Sequence, residues 1–425
     1  MDRQGTHANM VPTSRRTVLR VLGIGTVAGT AGCVGSVNEF LESVQPHDYR
    51  RDAPVDDPSA PWPTLGANPQ RTGAVRDLDA PPGDSFTREL TPVGLYPQAQ
   101  PAVAGGTAYI GVDRRTTAHD DTEFSGVVAI DLDAEHPSQP VSWRAQDEEA
   151  SPPLTPSVRG RVVFAPVGHG ISALDARDGS LYWRNAVGGL TPAVVGDDCL
   201  TADSDGAIAL NAVTGETRWT SEQTVAAPAG LAVVDDAVAL ACGDGGDGAL
   251  YCFERADGTT RWRYDAVGES YATAITDGER AYAVNTDGIL HAVELANGKQ
   301  AWTYDSGGSS YERPTVMDGT VYVASTNGEQ IAALDAASGE QRWMRHIGVG
   351  SSSAPVLTAE TVFFTTSTQD GKRLFELDPV DGTEHRRHEV PENDYKSIQP
   401  VIGDGVVYLV AESPHRFQSC LYAVQ

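Results

Sequence analysis

A nine-residue pattern recurs along this chain: an acid or amide, glycine four positions later, and tryptophan four positions after that. Five copies keep the spacing, with Asp175/Gly179/Trp183, Asn211/Gly215/Trp219, Glu254/Gly258/Trp262, Glu294/Gly298/Trp302 and Asp335/Gly339/Trp343. Trp143, reached through a longer connection after Asp131, is a sixth and looser copy. The residue types are those of a β-hairpin: a polar residue ends one strand, a Gly-containing turn follows, and the next strand carries an indole. Each indole can bury about 150 to 250 Å², an upper estimate of roughly 4 to 6 kcal/mol. The tryptophans are therefore read as packing residues ahead of a stacking platform for sugars or bases.

A second signature, an aliphatic residue, a turn and an alternating apolar strand, precedes each of these. Its copies centre on Val103, Val158, Val194, Val233, Ile275, Val316, Leu357 and Ile402, eight in all and mostly about 40 residues apart. Four short strands in a unit of that period predict an all-β, eight-bladed β-propeller with four-stranded antiparallel blades, in which no blade buries its faces alone. The eighth unit stops at Cys420 to Val424 without a tryptophan strand. The segment from Phe86 to Leu90 precedes the first unit as each tryptophan strand precedes the next, with Phe86 in place of the indole. An N-terminal strand is therefore expected to close the ring.

Composition agrees with many short strands joined by turns: 40% hydrophobic residues, 44 Gly and 26 Pro exclude a long coiled coil. The 58 acidic and 31 basic residues leave a net charge of −27, which excludes nucleic acid as a partner. The only lysines are Lys299, Lys372 and Lys396. Acids spread over the whole chain keep a protein hydrated in concentrated salt, so a halophilic archaeal host is expected.

The N-terminus reads as an address. Arg15 and Arg16 precede the apolar, Gly/Ala-rich stretch from Val21 to Gly29, which is too short to span a membrane, and Ala31-Gly32-Cys33 follows. This resembles a twin-arginine signal ending in a lipobox, which makes residues 1–32 the signal peptide and Cys33 the lipidated N-terminus. Residues 33–61 are expected to form a flexible tether, and 62–425 the propeller. The expected location is the outer face of the cytoplasmic membrane, with lipid as the only membrane attachment.

The Ala173 to Trp183 and Ala333 to Trp343 runs resemble the tryptophan-docking repeat of pyrroloquinoline-quinone (PQQ) dehydrogenases. They are also similar to the repeat of the β-barrel assembly lipoprotein of bacterial outer membranes, and the opening from Trp62 to Gly73 is similar to the start of many such domains. The resemblance implies a propeller and leaves function open, because enzymes and scaffolds share it. The first reading is a monomeric binding or assembly scaffold with no cofactor and no catalysis. The expected host has no outer membrane, so barrel assembly itself is not carried over. The alternative is a PQQ-dependent dehydrogenase using calcium, but the adjacent cysteines of its alcohol-oxidising branch are absent.

No metal site is expected: Asp203, Asp205, Asp244 and Asp247 suit tight turns, and His119, His169 and His291 lack ligand spacing. Cys242 and Cys252 lie symmetrically about Asp247 and could form a cross-strand disulfide. A protein partner or polar ligand is expected at the axial mouth, where the connections between blades carry Tyr96, Glu269, Tyr271, Tyr311, Glu312, Arg313, Tyr395 and Lys396. The polar insertion from Asp113 to Phe124 is a second candidate surface.

Overall fold

The computed structural model describes residues 53–55, 64–75, 86–94, 100–114, 124–133, 141–147, 154–167, 170–243, 248–325, 329–348, 353–369, 371–390, 399–403, 405–413 and 418–424. Among these, 32 strands form eight four-stranded antiparallel sheets. Blade 3 shows the rule. Ala193–Val195, Asp198–Asp203, Gly206–Asn211 and Thr217–Thr220 lie side by side in chain order. Its two middle strands are buried except at their last residues, while the outer strand is half-buried to exposed. The core is therefore a series of interfaces between blades, as expected when no single sheet can cover both of its faces. The eight aliphatic centres fall in the first strands of blades 1 to 8, from Ala102–Ala104 through Val401–Gly403.

Each indole docks on the turn of the following blade. The Nε1 groups of Trp143, Trp183, Trp219, Trp262, Trp302 and Trp343 donate to the carbonyls of Ala176, Ala212, Arg255, Leu295, Ala336 and Pro379 at 2.8 to 3.0 Å. The ring lies over the turn glycine. At Gly339 the backbone has φ +73°, and a Cβ would stand 2.6 Å from Trp302 Cδ2. The acid or amide that opens the pattern caps the same turn: the Asp335 carboxylate accepts from the amides of Ala337 and Ser338 at 3.0 and 2.9 Å. One nine-residue pattern thus supplies a turn, its cap, and the wedge for the next turn. A seventh turn, ending at Gly382, receives Trp343, but the strand after it, Glu384–Glu389, carries no indole.

The ring closes as expected. Phe86–Gly94 is the outermost strand of blade 8, pairing antiparallel with Gln418–Val424, with Phe86 opposite Val424 and Glu89 opposite Tyr422. The seam is packed as well as hydrogen-bonded, since Ile110 and Ile130 of blade 1 share a buried cluster with Val401, Leu409 and Leu421 of blade 8.

Within the stretch expected to be a tether, residues 53–55 are packed: Ala53 is buried against the cluster containing Val162 and Phe164, and Arg159 Nε donates to the Val55 carbonyl at 3.3 Å. One expectation is corrected. The thiols of Cys242 and Cys252 are both free. Cys242 faces Ala249 and Cys252 faces Ala239, so the hairpin is centred one and a half residues before Asp247. The two side chains consequently enter different interfaces, Cys242 beside Leu240 and Tyr251, Cys252 beside Leu250 and Val267. Burial pushes the Cys252 thiol up to about 12. Arg15, Arg16 and Cys33 lie outside the described residues.

Candidate functional site: an axial cavity with a basic floor

The segment 64–75 belongs to no blade sheet. Its carbonyls at Pro69, Gln70, Thr72 and Gly73 accept, in turn, from the amides of Val233, Thr276, Val316 and Leu357 at 2.8 to 3.0 Å. Those four donors are in or next to the first strands of blades 4, 5, 6 and 7, so a short stretch of chain touches consecutive blades and must curve along the inside of the ring. Thr64 extends the series, with its hydroxyl 2.5 Å from that of Ser157 in blade 2. The curvature requires unusual backbone: Gly66, Ala67, Arg71 and Gly73 have φ between +61° and +72°. A Cβ on Gly73 would stand 2.7 Å from Arg313 Nη1.

Arg71 anchors this segment. It is 1% exposed, and every nitrogen of its guanidinium donates: Nε to the Leu231 carbonyl, Nη1 to Thr64 Oγ1 and the Leu65 carbonyl, Nη2 to the carbonyls of Thr191 and Pro192. Burial, with the neighbouring Arg313 charge second, lowers its pKa to about 9.

Beside Arg71 a cavity of about 500 Å³ opens, within the range of small-ligand sites. Its wall comes from residues before or within the first strands of several blades: Gln100 and Pro101, Leu154 and Thr155, Leu190 and Thr191, Tyr271 to Thr273, Tyr311 to Arg313, and Gln399. Four of the mouth residues named from sequence, Tyr271, Tyr311, Glu312 and Arg313, are brought together here. Tyr271 and Tyr311 stack with ring centroids 6.4 Å apart and stay half exposed, and the Tyr271 hydroxyl donates to Glu269 Oε1 at 2.5 Å. Gln399 Nε2 donates to the Glu312 carboxylate. Arg313 is buried, and burial lowers its pKa to about 10 against the opposing influence of Glu312. Tyr96, Tyr395 and Lys396 lie outside the described residues, as do Arg115 to Glu123 of the polar insertion.

Sequence reasoning passed over Arg71, Gln100 and Gln399 as site residues. Arg71 stood inside the quoted Trp62 to Gly73 opening, but its partners are up to 160 residues away.

Asp203 serves a turn, accepting from the amides of Asp205 and Gly188 at 2.8 and 3.1 Å. Asp244, Asp247, His119 and His169 lie outside the described residues. His291 is buried, which lowers its pKa, and its Nδ1 is 3.2 Å from the Tyr264 hydroxyl. Among the described residues no three His, Cys, Asp or Glu side chains gather closely enough to hold a metal ion. Calcium takes six to eight oxygen ligands, and the described cavity lining contains one carboxylate, Glu312, beside two guanidinium groups.

A family model described as outer membrane protein assembly factor BamB matches residues 124–246, 205–312 and 246–417, more than half of the sequence. The chain belongs to this family of PQQ-like propellers. Among solved structures, BamB from Moraxella catarrhalis is 18% identical, with 79% of this chain and 97% of that one covered at a TM-score of 0.55. The quinohemoprotein alcohol dehydrogenase ADHIIG from Pseudomonas putida HK5 is 13% identical, with 89% and 82% covered at a TM-score of 0.62. The quinohemoprotein alcohol dehydrogenase from Comamonas testosteroni is 14% identical, with 92% and 84% covered at 0.59. At these identities the likeness shows the fold alone. No curated protein matches the sequence.

Proposed function

We propose that this BamB-family propeller is an exported scaffold, anchored by lipid on Cys33, that binds a protein partner at its axial mouth without catalysing a reaction. The observation that carries this reading is the mouth itself: a cavity gathered from several blades, floored by the chain's own segment 64–75 and rimmed by two stacked, half-exposed tyrosines. Exposed aromatics beside a few charged groups are the residue types that dominate protein interfaces. The family description supports a partner, since it names an assembly factor.

Affinity capture from solubilised membranes of the native host tests it. The wild-type chain should retain a defined partner, and a Tyr271→Ala/Tyr311→Ala variant should lose it at least tenfold, because central aromatic anchors cost about 2 kcal/mol or more each when truncated. A wild-type chain that retains nothing overturns the scaffold. The competing dehydrogenase reading predicts dye reduction after PQQ and calcium are added, and we expect none.

A further inference from the structure

Arg313 is 3% exposed, yet its guanidinium is poorly satisfied. Nη1 reaches the Arg71 carbonyl at 3.5 Å, while Nε and Nη2 donate to no acceptor among the described residues. Nε and Nη2 lie on one edge of the planar group, the fork that matches the two oxygens of a carboxylate. An unpaired buried donor is costly, and a charged one more so. Arg71 cannot share the duty, since all of its nitrogens are committed to carbonyls and a hydroxyl. Two guanidiniums against the carboxylate of Glu312 leave the described cavity lining with a single positive charge, which one carboxylate balances.

We propose that Arg313 receives a carboxylate in the axial cavity, namely the C-terminal carboxylate of a peptide chain whose preceding side chains meet the Tyr271 and Tyr311 rim. This rests on the scaffold reading and adds to it the chemical group recognised. A free organic acid presents the same carboxylate, so the test separates the two sources.

The full chain is incubated with two synthetic hexapeptide libraries of identical composition, one ending in free carboxylates and the other in C-terminal amides, and retention is measured. Free-acid peptides should be retained ten- to hundredfold more than amides, the range of charge-assisted hydrogen bonds. Equal retention overturns the proposal. Succinate displacing the peptides at similar concentration assigns the carboxylate to a free acid and overturns the peptide source, whereas weak displacement supports the peptide. Inorganic phosphate displacing them better than succinate overturns the carboxylate.

Arg313→Gln and Arg313→Lys, checked by thermal melting, should both lose the free-acid preference, the second because an ammonium keeps the charge and loses the fork. Should either variant not fold, the acid-against-amide comparison on the wild-type chain still decides. If membranes yield a partner that Arg313→Gln captures as well as the wild type, the carboxylate proposal fails and the scaffold stands. If the wild type captures nothing, the scaffold reading fails independently of the peptide result.

Discussion

Gly339 and Trp302 show how much a single turn residue can carry. The glycine is needed twice, once for its positive φ and once because a Cβ would press into the indole. Gly319 has a similar φ of +70° with nothing within 4 Å of a Cβ, so it isolates the backbone part. Gly319→Ala should cost about 1 to 2 kcal/mol, the left-handed penalty, and Gly339→Ala about 2 to 5 kcal/mol once overpacking is added. Urea unfolding of the two variants measures the difference. Asp175 offers a second test. Hydrogen bonds from Arg177, outweighing burial, and a further bond from the Tyr182 hydroxyl hold its carboxyl well below the usual carboxylate range. Because the native pKa lies below the unfolded value of about 4, this stabilisation is complete above pH 4 and fades as pH falls toward the native value. Asp175→Asn should therefore unfold more easily at neutral pH and show a shallower loss of stability between about pH 4 and 2, measured by urea midpoints across that range.

At the scale of elements, the decisive piece is the segment 64–75, which has no partner strand of its own. Its carbonyls satisfy the amides of Val233, Thr276, Val316 and Leu357, which would otherwise face the axis unpaired. Arg71→Ala removes the donors for five acceptors, Leu65, Thr191, Pro192, Leu231 and Thr64, and opens a hole beside the cavity. A loss of about 3 kcal/mol or more is expected. Hydrogen exchange gives a sharper reading: those four amides should be protected in the wild type and exchange markedly faster in the variant, while outer-strand amides such as that of Trp302 change little. The opening motif was visible in the sequence, but its position on the axis was not. A segment with neither strand alternation nor helical period does not announce which blades it will touch.

The whole molecule depends on one seam. Blade 8 takes three strands from the C-terminus and its outermost from Phe86–Gly94, so either end alone leaves an open sheet edge. Deleting residues 418–425 should expose the edges of both Phe86–Gly94 and Val406–Ser413, and the variant should aggregate or oligomerise where the intact chain runs as a single species on size exclusion. The same ring explains the site. A closed circle of eight sheets brings residues before or within the first strands of several blades to one mouth, although Gln100 and Gln399 are about 300 residues apart.

What the sequence determined by itself is the repeat, which is local, and its closure, which follows from counting strands. A turn glycine, its cap and the next indole lie within nine residues, and the missing last strand could be counted. The cavity that Tyr271, Tyr311, Glu312 and Arg313 line, the satisfaction of Arg71 and the free fork of Arg313 were decided only by the tertiary structure. So was the separation of Cys242 from Cys252, which a shift of hairpin centre placed on opposite faces of their sheet. Local patterns fix which residues turn and which alternate, whereas side-chain satisfaction depends on groups that only ring closure brings within hydrogen-bonding distance.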